Sequence, residues 1–337
     1  MIQRSASKVW GKRLLIGALA ATGALYATAD YLFRLTLEPR WKHSMLHGES
    51  DGAQLPGLNP SHTLSLDTQE EAEAADWFED AKRGVSLNAA DGTRLHGWML
   101  DPDCANPQRH LYAICCHGYS GEPAEMAKYA HRFARLGFRV LTPASRAHEL
   151  SGGHYIGMGW LERHDLMRWI DSILSEDPEA RILLFGISMG ASTIMMTVGD
   201  RHLPENVVAA VCDCGFHDVW HQFIHSGNFL YHLPVALIQP VLEVMSLISR
   251  HRAGYDFHEA SCGPSLRQAS IPMLFIHGDA DKFVDPACLD ENFRDCASPF
   301  KRKLLIPEAN HTMSASTDPK RYWNAVTTFV RQTFDLK

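Results

Sequence analysis

Apolar positions along the chain follow two patterns, and the alternation between them is the main structural signal. Short continuous apolar runs bounded by turn formers fall at 111–116, 139–142, 182–187, 207–212, 272–276 and 303–306. Such runs are typical of strands buried on both faces of a sheet. Between them lie stretches with apolar residues three and four apart, clearest at 160–174 (Leu166, Trp169, Ile170, Ile173, Leu174) and at 321–334. Further helices are predicted over 69–78, with Trp77 and Phe78 as anchors, and over 125–136, stopped by Gly137. Strands over 85–88 and 94–100 flank Asp91-Gly92, a hairpin signal. Strands that alternate with helices in this way predict an α/β domain, its mostly parallel sheet covered on both faces.

The alternation stops at 216–263, where Phe223, Phe229, Leu230, Leu237, Ile238, Leu242 and Met245 crowd together around Pro234 and Pro240. An inserted helical cap over the sheet is expected there. Glu243 and the two prolines argue against a membrane span in this segment.

At the start of the chain, Arg4, Lys8, Lys12 and Arg13 precede an apolar run over 14–33 that is broken late by Asp30. Basic residues before about twenty apolar ones predict a membrane anchor over 1–37, leaving the rest of the chain outside the cytoplasm. The alternative is a signal peptide cut near Ala29, at Ala27-Thr28-Ala29, which would release a secreted protein. Residues 38–78 are expected to form a linker and an N-terminal helix, and 79–337 the main domain.

Composition adds limits. The chain has 337 residues, 45% of them hydrophobic and 21% charged, which fits a large ordered domain. A net charge of −7 without basic clusters argues against nucleic acid as a partner. Eight cysteines lack metal-binding spacing and read as buried thiols.

The strand ending at Ile187 runs into Gly186-Ile187-Ser188-Met189-Gly190 and then directly into a helix, a nucleophile elbow. A serine hydroxyl needs a base within hydrogen-bond reach, delivered from another loop. His311 follows the last strand, and Asp281 follows the strand before it, where it could hold the imidazole in the tautomer that faces Ser188. Asp213, at the end of another strand, is the second candidate for the acid. The backbone N–H groups of Met189 and of Tyr119, in the loop His117-Gly118-Tyr119, are the expected oxyanion donors.

These residues, together with Arg146-Ala147-His148, Ser151-Gly152-Gly153, Gly157-Met158-Gly159-Trp160, Asp213-Cys214-Gly215, His277-Gly278-Asp279-Ala280-Asp281 and Asn310-His311, give the chain its likeness to known hydrolases. It resembles the α/β-hydrolase superfamily, in particular a bacterial serine-aminopeptidase-like or esterase-like branch, over about 70–335. One departure is local: Ala144 stands where that loop usually has an acid, and Glu149 where it has glycine. The resemblance implies hydrolysis of an ester, thioester or amide through an acyl-enzyme, with no cofactor and no metal. The implied substrate is a small ester or peptide-like molecule, and the apolar cap and Tyr119 point to a hydrophobic or aromatic acyl group. A serine peptidase and a non-catalytic hydrolase-fold binding protein are the alternatives.

His217, His221 and His225 recur every four residues and would share a helix face, a spacing that can hold a metal. The glutamate of H-E-x-x-H is missing among them, so a solvated or cap-packing face is the expected reading.

Overall fold

The computed structural model describes residues 3–39, 66–105 and 107–336, and the side chains of 1–16 and 18 lie outside that description. Eight strands form one sheet in the order β1-β2-β4-β3-β5-β6-β7-β8. They are β1 (Arg83–Asn88), β2 (Arg94–Leu100), β3 (Leu111–Cys116), β4 (Arg139–Pro143), β5 (Arg181–Ile187), β6 (Val207–Asp213), β7 (Met273–Gly278) and β8 (Lys301–Ile306). β2 pairs antiparallel with β1 and β4, and the other neighbours are parallel. The mostly parallel sheet expected from the apolar runs is therefore present. The β1–β2 turn is held by the Thr93 N–H donating to Asp91 Oδ1 at 2.9 Å, with Gly92 at φ 83°.

The central strands are buried on both faces, and alternate residues feed separate cores. In β5, Ile182 and Leu184 pack into one, whereas Leu183, Phe185 and Ile187 pack into the other. The second core is completed by α2 (Thr68–Ala81), α3 (Ala127–Arg135) and the closing helix, through Phe78, Phe133 and Phe329. The first is completed by α4 (Glu162–Glu176), α5 (Met189–Thr197) and two helices between β6 and β7. These are α6 (Val219–Tyr231) and α7 (Val235–Arg252), with Pro234 at the N-cap of α7. Shorter helices α8 (Gly263–Leu266), α9 (Ala287–Asp295) and α10 (Ser314–Thr317) precede the closing α11 (Pro319–Phe334).

The N-terminal segment departs from expectation. It forms α1 (Gln3–Leu37), and among the described residues no helix is long and apolar enough to cross a membrane. Its C-terminal end packs on the body instead: Ala29, Phe33 and Leu37 are fully buried. Asp30, which breaks the apolar run, pairs with Arg252 of α7 at 2.6 Å and with Arg34 at 3.0 Å. A helix carrying these charges, with one face already committed to protein, does not present the uniform apolar surface that lipid requires. Ala29, the last residue of the possible cleavage signal, is buried within the helix. The leading Arg4, Lys8, Lys12 and Arg13 side chains lie outside the described residues, as does the expected linker over 40–65.

Candidate active site

Every residue singled out for chemistry follows the C-terminal end of a parallel strand, where open α/β sheets gather their ligands. Ser188 follows β5, Asp281 follows β7, His311 follows β8, and Tyr119 follows β3. The elbow is tight for a steric reason. A Cβ on Gly190 would lie 2.2 Å from the Cys116 carbonyl oxygen, and one on Gly186 would lie 2.5 Å from the Gly190 carbonyl carbon. Ser188 itself adopts φ 51°, ψ −119°, a conformation that costs an L-residue energy.

The three side chains meet in one hydrogen-bonded row. Ser188 Oγ lies 2.9 Å from His311 Nε2, and His311 Nδ1 lies 2.7 Å from Asp281 Oδ2. Asp281 Oδ1 accepts the N–H groups of Phe283 and Val284, both at 2.9 Å. Burial alone would raise the Asp281 carboxyl. The charge of His311 and hydrogen bonds from His277 and His311 outweigh that effect and hold it well below the usual carboxylate range. His277, which sequence reasoning gave no part in the chemistry, is buried with Nε2 3.2 Å from Asp281 Oδ2. Asp213, the other acid considered, accepts the Ser314 hydroxyl at 3.2 Å, and burial raises its carboxyl.

The expected oxyanion donors flank the serine. Met189 opens α5, so its N–H has no acceptor within the helix. The His117-Gly118-Tyr119 loop passes close by, and a Cβ on Gly118 would lie 3.4 Å from Ser188 Cβ. Contacts from distant parts of the chain hold that loop. The ring of His148 bridges the carbonyls of Tyr119 and Arg146, each at 2.8 Å, and the Tyr119 hydroxyl donates to the Thr36 carbonyl at the end of α1. Burial raises the Tyr119 phenol further above neutrality, so it stays a donor. His148 stands in the Arg146-Ala147-His148 motif, but its hold on Tyr119 is not marked by local sequence, and neither is Thr36, because each acts on a residue far along the chain.

The β4 loop that departs from the usual pattern is well supported. Glu149, in the glycine position, takes φ 42° and accepts the Trp98 indole N–H at 3.1 Å. Arg146 clasps Asp165 through two bonds of 2.7 Å and reaches Asp91 at 3.0 Å.

The three evenly spaced histidines line one cavity, but among the described residues they do not come close enough to share a metal. His217 precedes α6 and sits between Asp218 and Asp295, His221 turns to Asp218, and His225 bonds the Lys282 carbonyl at 2.9 Å. Among the described residues, the group close enough to share a metal is Cys214, Asp281 and His311, and its His–Asp pair is already engaged with Ser188.

Ser188 opens into a cavity of about 230 Å³ between α1, α6 and α7. Leu32, Phe223, Leu230, Ile238 and Met245 supply most of its character, and among the described residues no charged side chain lines it.

No protein-family model matches the chain. Among curated proteins it is 28% identical over 252 residues to the uncharacterized protein YqkD of Bacillus subtilis, covering 74% of this chain and 79% of the relative. It is 26% identical over 232 residues to the uncharacterized protein YfhR of Escherichia coli K12, covering 67% and 72%. Among solved structures, the esterase Pf2001 of Pyrococcus furiosus superposes with a TM-score of 0.60 at 21% identity, over 76% of this chain and 94% of that one. Acylaminoacyl peptidase of Pyrococcus horikoshii superposes with a TM-score of 0.54 at 17% identity, over 75% of this chain and 41% of that one. With the sheet order and strand-end loops described above, these likenesses establish that the chain has the α/β-hydrolase fold.

Proposed function

We propose that the chain is a serine hydrolase that cleaves a carboxylic ester of a hydrophobic acid through an acyl-enzyme. The observation that carries this reading is the row from Ser188 through His311 to Asp281, at 2.9 and 2.7 Å, opening into an apolar cavity. His311 Nε2 takes the Ser188 proton as Oγ attacks the carbonyl, and Asp281 holds the Nδ1 proton and stabilises the imidazolium that forms. The N–H groups of Met189 and Tyr119 receive the oxyanion. His311 then protonates the departing alkoxide, and water repeats the sequence to release the acid.

Thioesters and amides pass through the same acyl-enzyme, so cavity chemistry favours among them. An aminopeptidase must neutralise the charged amino terminus of its substrate, and no acidic side chain among the described residues lines this cavity. That favours an ester of an apolar acid over the peptidase reading. A non-catalytic binding protein has no need of a strained serine aligned with a base. The test is fluorophosphonate labelling followed by a panel of ester, thioester and aminoacyl-amide substrates. The wild type labels and turns over esters, and Ser188→Ala loses labelling and at least about 10⁴-fold in kcat. A folded wild type that fails to label refutes the reading.

A further inference from the structure

We propose that the C-terminal third of α1 is a wall of the acyl site, setting the length of chain accepted and bracing the oxyanion loop; this rests on the serine-hydrolase reading above. The helix divides its faces between two tasks. Thr28, Leu32, Leu35 and Thr36, spaced by helical turns, line the cavity that holds Ser188. Ala29, Phe33 and Leu37, on the neighbouring stripe, are fully buried against the body.

The wall is fastened at several points. Asp30 pairs with Arg252, the rings of Phe33 and Tyr155 lie 5.3 Å apart, and the Leu37 carbonyl accepts the Ile156 N–H at 2.9 Å. The Thr36 carbonyl falls in the last turn of α1, where carbonyls have no intrahelical partner, and the Tyr119 hydroxyl occupies it. Tyr119 is also the residue whose N–H is proposed to receive the oxyanion. One side chain therefore connects the wall that the substrate tail touches to the hole where charge develops.

The chemistry of the wall names the substrate class. About 230 Å³ of uncharged, mostly aliphatic cavity takes a linear chain of roughly ten or more carbons, at about 10–15 Å³ for each water-sized group. The ligand is a fatty-acyl ester with its carbonyl at Ser188 and its tail along Leu32 and Leu35.

The experiment measures kcat/KM for p-nitrophenyl esters from acetate to palmitate on wild type, Leu32→Trp, Leu32→Ala and Tyr119→Phe, with a separate aliquot of each labelled with fluorophosphonate to count the competent sites. Leu32→Trp shortens the preferred chain and costs about fourfold in kcat/KM per methylene excluded, so the loss grows with chain length. Leu32→Ala moves the preference toward longer chains, so the idea stays testable if the tryptophan variant fails to fold. Tyr119→Phe keeps the N–H but loses the Thr36 contact, lowering kcat about tenfold at every chain length with KM little changed. Leu32 variants that label in the separate aliquot yet keep a chain profile parallel to the wild type overturn the wall, and an unchanged kcat in Tyr119→Phe overturns the brace. A folded wild type that does not label defeats the hydrolase reading instead, so the two failures are told apart.

Discussion

Asp281 spends every lone pair it has. One oxygen accepts two backbone N–H groups of its own turn, and the other faces His311 and His277. Such a carboxylate titrates lower in the folded chain than in the unfolded one, so the folded state binds fewer protons. Its stabilising contribution is complete above the unfolded value of about 4 and drains away as the pH falls below it. Asp281→Asn therefore lowers the thermal midpoint at pH 7, and the gap to wild type narrows as the pH is taken toward 3. A gap that stays constant between those two pH values would show that the carboxylate is not held in its ionised form. His277 enters this account only through the structure. Its place in a His-Gly-Asp block marks a strand end, but nothing in the block says that the ring turns back onto the acid four residues later.

At the scale of elements, the elbow is a close approach of main chains more than a choice of side chains. A methyl on Gly190 meets the backbone of β3 and the His117 loop, neither of which is the flexible end of a side chain. Gly190→Ala is expected to cost about 3 kcal/mol or more in denaturant unfolding and to abolish fluorophosphonate labelling, since any relief moves Ser188. Stability and labelling both unchanged would mean that the elbow is looser than these distances imply. The same local steric logic made this region readable from sequence, as it did the sheet, whose strands are continuous apolar runs flanked by turn formers. Elements with mixed faces were harder to read. α9 turns Leu289 and Asn292 inward, and Asn292 donates to the Gly215 carbonyl at 3.2 Å, so its buried face carries no clean apolar period. α1 was misread for a different reason. Apolar residues say that a helix seeks an apolar partner, and whether that partner is lipid or the rest of the chain is a tertiary matter. One contact that ties the end of α1 to the body, Tyr119 on Thr36, spans 83 residues.

Across the whole molecule, the chemistry and the cavity rest on parts of different firmness. The serine, its base and its acid sit on loops tied to a sheet buried on both faces, whereas the roof is made of helices that touch the body along one side only. Leu247 of α7 is exposed, and so are Leu19, Tyr26 and Tyr31 of α1. Helices with few buried contacts open locally at a lower free energy than the core does. The ion pair between Asp30 and Arg252 joins two such elements, and both side chains keep about a quarter of their surface in water, so it is worth about 1 kcal/mol at most. Arg252→Ala should then raise amide hydrogen exchange over residues 29–37 by up to about fivefold while leaving the first turn of α5 as protected as before. Faster exchange that reached α5 as well would mean that roof and catalytic floor open as a single unit. Unchanged exchange over 29–37 would mean that the buried side chains and the hydrogen bonds to the Thr36 and Leu37 carbonyls hold α1 on the body without the ion pair.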